Sequence, residues 1–280
     1  MLGRTMSHPV DGSVVVTGAG SGLGLRLAEM LGRRGHHLNA LDLTLSADAR
    51  DTLTRATSGH VNFEEVDVRD TAALTHAFAR AVENQGTPGL VINCAGVQHA
   101  EPFLVQSEEA FTRVVEINLL GSRNVAAAAL EHLRPGGHLV LVASMAGLVA
   151  NYAYAAYCAS KFGVVGLAQV LRLEQHARGI DVSVVCPPEV ETPMVDDERK
   201  TMLAPTRALK EMAGTLELEP AVQAILRGID ARKFMIIPGR RARFTYLLTR
   251  ALPGRVTRFV TDRVVARELA ASSTPPHAPA

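Results

Sequence analysis

The chain of 280 residues is 47% hydrophobic and 20% charged, with a formal net charge of +1. This length and apolar content suit one large α/β domain or two small ones, and they exclude a globally disordered chain. Because the net charge is close to zero and Trp is absent, we expect no nucleic-acid partner.

The cysteines and the N-terminus bear on the cellular setting. Cys94, Cys158 and Cys186 lie too far apart for a metal-binding pair, so we expect no metal. Their odd number without framework spacing indicates a reducing, cytoplasmic setting. Residues 1–13 lack the apolar core of a signal peptide, and no apolar run reaches the roughly 18 residues of a transmembrane helix.

Apolar runs alternate with helical patterns along the chain, which is typical of a Rossmann-type, doubly wound parallel sheet. The runs are almost continuously apolar, as strands covered on both faces are. The predicted strands are Ser13–Val16, Leu38–Asp42, Val61–Val66, Leu90–Asn93, His138–Ala143, Val182–Cys186 and Phe234–Ile237. The predicted helices are Gly22–Arg34, Thr71–Asn84, Glu108–Leu133 and Ala155–Ala177.

The α/β pattern predicts one nucleotide-binding catalytic domain over residues 1–238. Within it, residues 193–215 follow the carboxyl end of a strand, where ligands bind in open α/β sheets. We interpret this charged segment with scattered apolar residues as a mobile helical lid over the substrate. Residues 239–280 are predicted to form a basic amphipathic helical extension that ends in a flexible tail.

The first strand leads directly into a glycine-rich loop, Thr17–Gly24, and a helix follows. Glycines allow a tight turn and a close approach of backbone N–H groups to a pyrophosphate, and a helix N-terminus favours its negative charge. The alternative is an ordinary strand-to-helix turn, but the strand–loop–helix context favours dinucleotide binding. The expected cofactor contacts are Gly18, Gly20, Ser21, Gly22, Leu23 and Gly24.

Asp42 ends the second predicted strand, 18 residues after Gly24. A carboxylate at this position can accept hydrogen bonds from the adenosine ribose and would repel a 2′-phosphate. Since no Arg or Lys follows closely, the sequence favours NAD(H), with NADP(H) less favoured. The alternative is that Asp42 only begins a turn or caps a helix.

Three residues after the central strands suggest proton transfer. Ser144 ends the fifth strand, and Tyr157 and Lys161 are four residues apart, so they share a helix face. A tyrosine titrates near about 10, and a fixed ammonium stabilises its phenolate. Tyr157 could then act as general acid or base on a carbonyl or alcohol, while Ser144 holds the same oxygen.

The glycine pattern T-G-x-x-x-G-x-G and the Ser, Tyr and Lys spacing resemble the short-chain dehydrogenase/reductase family over about residues 13–195. The resemblance implies that Asp67 and Val68 hold the adenine and that Asn93, Ala95 and Gly96 form the segment after the fourth strand. It implies that Asn118 completes a proton relay through a water, and that Lys161 binds the nicotinamide ribose. It also implies homodimers or homotetramers.

The segment after the sixth strand departs from the family's P-G-x-V-x-T pattern. It has Pro187-Pro188-Glu189, in which Pro188 replaces a glycine and stiffens the backbone. Pro187, Val190 and Thr192 are still expected to contact the cofactor. A P-P-[DE] form is similar to reductases of long-chain keto-sphingoid bases in this family, a branch that usually prefers NADP(H), against which Asp42 argues.

Residues 239–268 carry eight Arg and two acids, with apolar residues at helical spacing and Pro253-Gly254 between two helical stretches. Such helices can lie on an anionic membrane surface. The alternative, which we favour from the sequence, is that their apolar side packs on the domain or on a partner subunit.

These features predict an NAD(H)-dependent oxidoreductase that interconverts a secondary alcohol and a ketone. The Met and Leu content of the lid suggests a bulky, apolar small-molecule substrate. The alternatives are an NADP(H)-linked lipid ketone reductase at a membrane surface, an epimerase or dehydratase with a transient ketone, and a non-catalytic dinucleotide-sensing module.

Overall fold

The computed structural model describes residues 12–192, 195 and 199–272, and a parallel sheet lies at its centre. The predicted flexible tail beyond 272, most of the N-terminal segment, and lid residues 193–194 and 196–198 lie outside the described residues. The strands are β1 (Ser13–Thr17), β2 (Leu38–Asp42), β3 (Val61–Glu65), β4 (Pro88–Asn93), β5 (His138–Val142), β6 (Asp181–Val185), β7 (Glu189–Val190), β8 (Thr215–Leu216) and β9 (Met235–Ile236).

Seven of these strands form one sheet in the order β3-β2-β1-β4-β5-β6-β9, and all their pairings are parallel. The chain therefore winds outward from β1 to β3 and then returns to continue from β4 on the other side. The switch point between β1 and β4 opens a crevice at the carboxyl ends of the strands. The predicted Rossmann-type fold is confirmed.

Helices cover both faces of the sheet. They are α1 (Gly22–Arg33), α2 (Ala47–Ala56), α3 (Thr71–Gln85), α4 (Glu108–Val115), α5 (Gly121–His132), α6 (Ala155–His176), α7 (Ala204–Ala213), α8 (Leu218–Asp230), α9 (Arg240–Ala251) and α10 (Gly254–Ser272). A π-helical turn, Glu116–Leu120, joins α4 to α5. The predicted helix over 108–133 is thus continuous but changes its winding midway.

The core has two apolar layers, one on each face of the sheet. Val14 and Val16 belong to the layer under α1 and α8, whereas Val15 belongs to the layer under α3, α5 and α6. This follows from the two-residue period of a strand, which sends alternate side chains to opposite faces. Both layers exclude water, so the polar ends of the strands are held rigidly at one edge.

The sequence interpretation missed α2 and α8. Within the part of the chain that is described, no helix is long and apolar enough to cross a membrane. Among the same residues, no group of three or more His, Cys, Asp or Glu side chains is arranged to hold a metal ion.

Candidate active site

A cavity of about 840 Å³ opens at the carboxyl ends of the strands. The glycine-rich loop and the ends of β2 and β3 line one part of it, hereafter the cofactor half. The segment from 187 to 192, α7, α9 and α10 line the other part, hereafter the substrate half. Residues from the end of β5 and from α6 lie between the two halves.

The glycine-rich loop has almost no room for side chains. A Cβ atom on Gly24 would lie 2.0 Å from the carbonyl oxygen of Gly18, and one on Gly18, which has φ +70°, would lie 2.6 Å from the backbone N of Ala95. Four expected contact residues line the cavity at the start of α1: Ser21, Gly22, Leu23 and Gly24. The N–H groups of a first helical turn lack partners within the helix, so this cradle suits a pyrophosphate.

Asp42 lies at the cavity wall at the end of β2. Its Oδ2 accepts a hydrogen bond of 2.7 Å from the N–H of Gly20, which itself does not line the cavity, and its Oδ1 accepts one of 3.4 Å from Thr44. The cap of α2 is Ser46, whose side chain accepts from Ala49. Asp42 is therefore not a helix cap, although its bond to Thr44 does make it part of a turn.

Asp67 and Val68 also line the cofactor half. The Asp67 carboxylate accepts bonds from the backbone N (2.9 Å) and Nη2 (2.6 Å) of Arg69. Hydrogen bonds from the Arg69 side chain hold the pKa of Asp67 below its usual value. Arg69 itself lines the cavity, and sequence reasoning did not single it out.

The segment after β4 divides into a structural and an exposed part. Asn93 is buried, accepts a bond from the Thr17 hydroxyl and donates one of 2.8 Å to the Ser122 hydroxyl, so it ties β1, β4 and α5 together behind the wall. Ala95 and Gly96 line the cavity.

Ser144, Tyr157 and Lys161 all line the cavity between its two halves. Ser144 begins a short 3₁₀ turn, and its Oγ accepts a bond of 3.1 Å from Ala146 N. That turn packs on α6 because Gly147 has no side chain: a Cβ there would lie 2.6 Å from the Lys161 carbonyl oxygen. Tyr157 and Lys161 occupy successive turns of α6, with Lys161 Nζ 5.7 Å from the centre of the Tyr157 ring.

The Lys161 side chain is buried, and its Nζ donates a bond of 3.0 Å to the carbonyl oxygen of Val142. Burial disfavours the ammonium and lowers the pKa of Lys161 from 10.5 to about 8. The group still carries a proton at neutral pH, so a positive charge lies 5.7 Å from the centre of the Tyr157 ring.

Asn118 lies in the π-helical turn and is fully buried. Its side chain pairs with the backbone of Val97 in both directions, at 2.8 and 2.9 Å, and donates to Ser160 Oγ at 3.1 Å. It does not line the cavity, but a Cβ on Gly96 would lie 3.1 Å from Asn118 Oδ1 and 3.4 Å from Lys161 Nζ. Asn118 and Lys161 therefore both lie next to Gly96.

The segment with the unusual second proline follows β6. Pro187, Val190 and Thr192 line the cavity, and the Pro187 carbonyl oxygen accepts a bond of 2.8 Å from Met145 N. A Cβ on Gly22 would lie 3.5 Å from Thr192 Cγ2, so this segment lies against the glycine-rich loop. All three expected contacts therefore face the interior, whereas Gly20, Asn93 and Asn118 support the wall.

A polar cluster in the substrate half was not predicted. Gln98 Nε2 donates to Tyr154 Oη at 2.6 Å, and Lys210 Nζ lies 3.3 Å from the same oxygen. Lys210 also pairs with Glu189 at 2.6 Å, and Glu189 forms a second ion pair with Arg199. Two features of the sequence could have indicated this cluster. Glu189 follows the unusual Pro188, and Tyr154 lies three residues before Tyr157.

Burial raises the pKa of Glu189, but hydrogen bonds from Lys210 and Arg199 outweigh it and hold the pKa below the usual range. The carboxylate is therefore charged and joins α7 to β7. Cys158 is buried, and burial raises the pKa of its thiol, which does not suit a nucleophile.

The C-terminal helices α9 and α10 pack against α7 and close the substrate half. Phe244, Leu248 and Val260 line the cavity, yet they are 65%, 43% and 41% exposed. These side chains are therefore only partly covered by the domain. The expectation that the apolar side packs on the domain or on a partner subunit stays a prediction.

Comparisons with known proteins identify the family and the fold of the chain. The family model described as short chain dehydrogenase matches residues 13–203. The chain is 33% identical to a 3-dehydrosphinganine reductase of Arabidopsis thaliana, covering 83% of this chain and 72% of that one. It is also 33% identical to the oxidoreductase UcpA of Salmonella typhimurium, covering 74% and 80%. A solved short chain dehydrogenase from Mycobacterium paratuberculosis, bound to NAD, has the same fold, with a TM-score of 0.73, 23% identity and coverage of 86% and 99%.

Proposed function

Because the chain belongs to the short-chain dehydrogenase/reductase family, we propose that it interconverts a secondary alcohol and a ketone with NAD(H). The family and its oxidoreductase relatives make it an NAD(P)-dependent oxidoreductase acting on CH–OH groups. The observation that carries the finer proposal is that Ser144, Tyr157 and Lys161 line the same cavity, with Lys161 Nζ 5.7 Å from the centre of the Tyr157 ring.

The residues present fit a nicotinamide dinucleotide, because the N-terminus of α1 lines the cavity and suits its phosphates, and the glycines before it pack closely against backbone. Ser21 to Gly24 would hold the pyrophosphate, Asp42 the adenosine ribose and Lys161 the nicotinamide ribose. When bound, this cofactor supplies or accepts the hydride. We propose NAD(H) because the carboxylate of Asp42 lines the cavity at the end of β2, where it would repel a 2′-phosphate, and is followed by the uncharged Leu43 and Thr44.

The chain's own residues handle the proton. The Tyr157 hydroxyl gives its proton to a carbonyl oxygen during reduction and takes one from the alcohol during oxidation. The Lys161 ammonium stabilises the phenolate left behind. The Ser144 hydroxyl donates a hydrogen bond to the same substrate oxygen, on which negative charge develops. Asn118 holds Val97 and Ser160 behind Lys161 and so fixes the relay's position.

The substrate half favours a bulky apolar molecule. Its wall is mostly apolar, with Met145, Val149, Leu209, Met212, Phe244 and Leu248. One relative is named a 3-dehydrosphinganine reductase, which is a reductase of a lipid ketone. A long-chain lipid ketone is therefore one class to include in the substrate panel.

We further propose a homo-oligomer assembled through α6 and the end of α4–α5. Its support is a set of exposed apolar side chains on these helices, Leu120, Phe162, Val170 and Leu173. Exposed apolar clusters on helices of one chain are commonly covered by a second copy.

The proposed function is tested by following NADH absorbance with a panel of ketones and secondary alcohols. Tyr157→Phe removes the transferable proton and is expected to lower kcat about 10²- to 10⁴-fold, with the Kd for NADH nearly unchanged. Tyr152→Phe is the matched control, because Tyr152 precedes the same helix and does not line the cavity. Wild-type turnover in Tyr157→Phe rejects the proposed role.

A further inference from the structure

An exposed apolar surface adjoins the mouth of the cavity, on the outward faces of α9 and the first half of α10. Its members share a large apolar side chain in contact with solvent, and we call them the apolar rim: Phe244, Leu247, Leu248, Val256, Phe259 and Val260. Three of them, Phe244, Leu248 and Val260, also line the cavity. The rim is therefore continuous with the interior of the substrate half.

The helix α9 differs from an ordinary surface helix because it exposes large apolar side chains and buries a small one. Its buried position is Ala242, and its half-buried ones include Thr245 and Thr249, whereas Leu247 and Phe244 are 55% and 65% exposed. A surface helix normally turns its apolar stripe toward the core. Here Phe244 and Leu248 border the mouth of the cavity and, with Leu247, leave apolar surface open to solvent, so an apolar environment outside the chain would be stabilising.

The charge around the rim is predominantly positive. All eight arginines of residues 239–268 are exposed, against two acids, Asp262 and Glu268. Arg243 lies four residues before Leu247 and Arg250 three residues after it, so all three share a helix face. An apolar stripe flanked by arginines matches the boundary between acyl chains and anionic headgroups.

We propose that the apolar rim docks the protein on an anionic phospholipid bilayer, so that an apolar substrate passes between the bilayer and the cavity without crossing water. The charge decides the occupant, because a second copy would set one arginine-rich surface against another, whereas the bilayer supplies anionic phosphates. The substrate's route rests on the proposed function, but the docking does not.

The test is flotation of the full-length protein with vesicles of phosphatidylcholine and phosphatidylglycerol in equal parts, and with pure phosphatidylcholine. Binding to the anionic vesicles is expected, and it should fall with added salt because the arginine contribution is screened. Leu247→Ser with Phe259→Ser should lower the partition coefficient about tenfold or more. Neither residue lines the cavity, so turnover of a water-soluble ketone should not change.

Two matched controls separate the rim from general surface properties. Arg243→Gln with Arg250→Gln should weaken binding to anionic vesicles about tenfold, whereas the corresponding pair of Lys substitutions keeps the charge and the binding. Leu104→Ser alters an apolar side chain that is 94% exposed on the loop before α4, and it should leave binding unchanged.

The proposal is overturned if Leu247→Ser with Phe259→Ser binds vesicles like the wild type, or if Leu104→Ser loses as much binding. It is also overturned if no vesicle is bound and the double variant instead changes the molar mass seen by light scattering, which would assign the rim to a second copy. Turnover without vesicle binding rejects only the docking. Vesicle binding without turnover of any ketone rejects only the proposed function.

Discussion

The two halves of the cavity are built in different ways. In the cofactor half, the backbone of the glycine-rich loop and the ends of β2 and β3 form the wall, and a Cβ at Gly18 or Gly24 would collide with backbone. In the substrate half, side chains from distant segments meet, as Tyr154 and Lys210 do at 3.3 Å. We infer that the cofactor half tolerates almost no change of backbone, whereas the substrate half can be adjusted one side chain at a time.

The largest effect is expected at Lys161, where the two halves meet. Lys161→Met should lower kcat at least about a hundredfold, because the phenolate of Tyr157 loses its neighbouring ammonium. The same change should raise the free energy of unfolding by about 1–3 kcal/mol without added cofactor, because a buried charge with a lowered pKa is removed.

The pH dependence of the unfolding free energy tests whether folding lowers the pKa of Lys161. A lysine whose pKa is about 8 in the folded chain and 10.5 when unfolded binds fewer protons in the folded state between these values. Wild-type stability should therefore gain a contribution as pH rises through that window, and Lys161→Met should lack it. Lys233→Met, at an exposed lysine, should show neither effect. Thermal unfolding at several pH values measures both, and identical profiles would contradict the burial argument.

The next largest effect is expected in the glycine-rich loop. Gly24→Ala places a Cβ 2.0 Å from the Gly18 carbonyl oxygen, so it should weaken NADH binding at least about tenfold and lower the unfolding free energy by about 2–4 kcal/mol. Gly166→Ala in α6 meets open space and should instead stabilise by up to about 1 kcal/mol. Calorimetry and denaturant unfolding measure these changes. A fully active Gly24→Ala would remove the contrast between the two halves.

A smaller effect is expected for cofactor choice at Asp42. Asp42→Asn keeps an acceptor for the N–H of Gly20 but loses the charge, so the preference for NADH over NADPH should fall about tenfold in kcat/KM. Asp42→Ala should cause the same shift and a further loss of about 1 kcal/mol of stability, because it removes the bond. An unmodified enzyme that already prefers NADPH would show this reading of Asp42 to be wrong.

The smallest effect is expected in the substrate half. Lys210→Met removes one of the cations that hold Glu189 to α7, so KM for the ketone should rise about three- to tenfold with the Kd for NADH unchanged. Arg207→Met, on the exposed side of the same helix, is the control. Equal changes in both variants would mean that the overall charge of α7, and not the polar cluster, sets KM.

The sequence could predict those features of the fold that local patterns specify. The central strands and the alternation at Val14, Val15 and Val16 follow from local periodicity, and the glycine-rich loop from a local turn requirement. The helix α8 was missed although its buried residues, Val222, Ile225, Leu226 and Ile229, recur at helical spacing. The helix α2 buries only Ala49 and Leu53, so its pattern is weak.

The residues of the candidate site also divide into those that spacing in the sequence could indicate and those that it could not. Ser144, Tyr157 and Lys161 were placed at one point by their spacing, and the structure brings them to one wall. The cluster of Gln98, Tyr154, Glu189 and Lys210 joins segments that are far apart in sequence, so spacing carried no signal for it. On α9, periodicity indicated an apolar face but not which surroundings cover it.

The π-helical turn at Glu116–Leu120 has a consequence for how its helix is shared between neighbours. Such a turn holds one residue more than an α-helical turn, which shifts the angular phase of everything after it by roughly 100°. Before the turn, α4 lies against α6; after it, α5 lies against α3. Deleting one residue here would restore a uniform winding, and it would rotate Asn118 away from Val97 and misalign one of the two interfaces. The extra residue therefore sets the rotation of α5 relative to α4. It thereby sets the two helix interfaces and the contact between Asn118 and Val97.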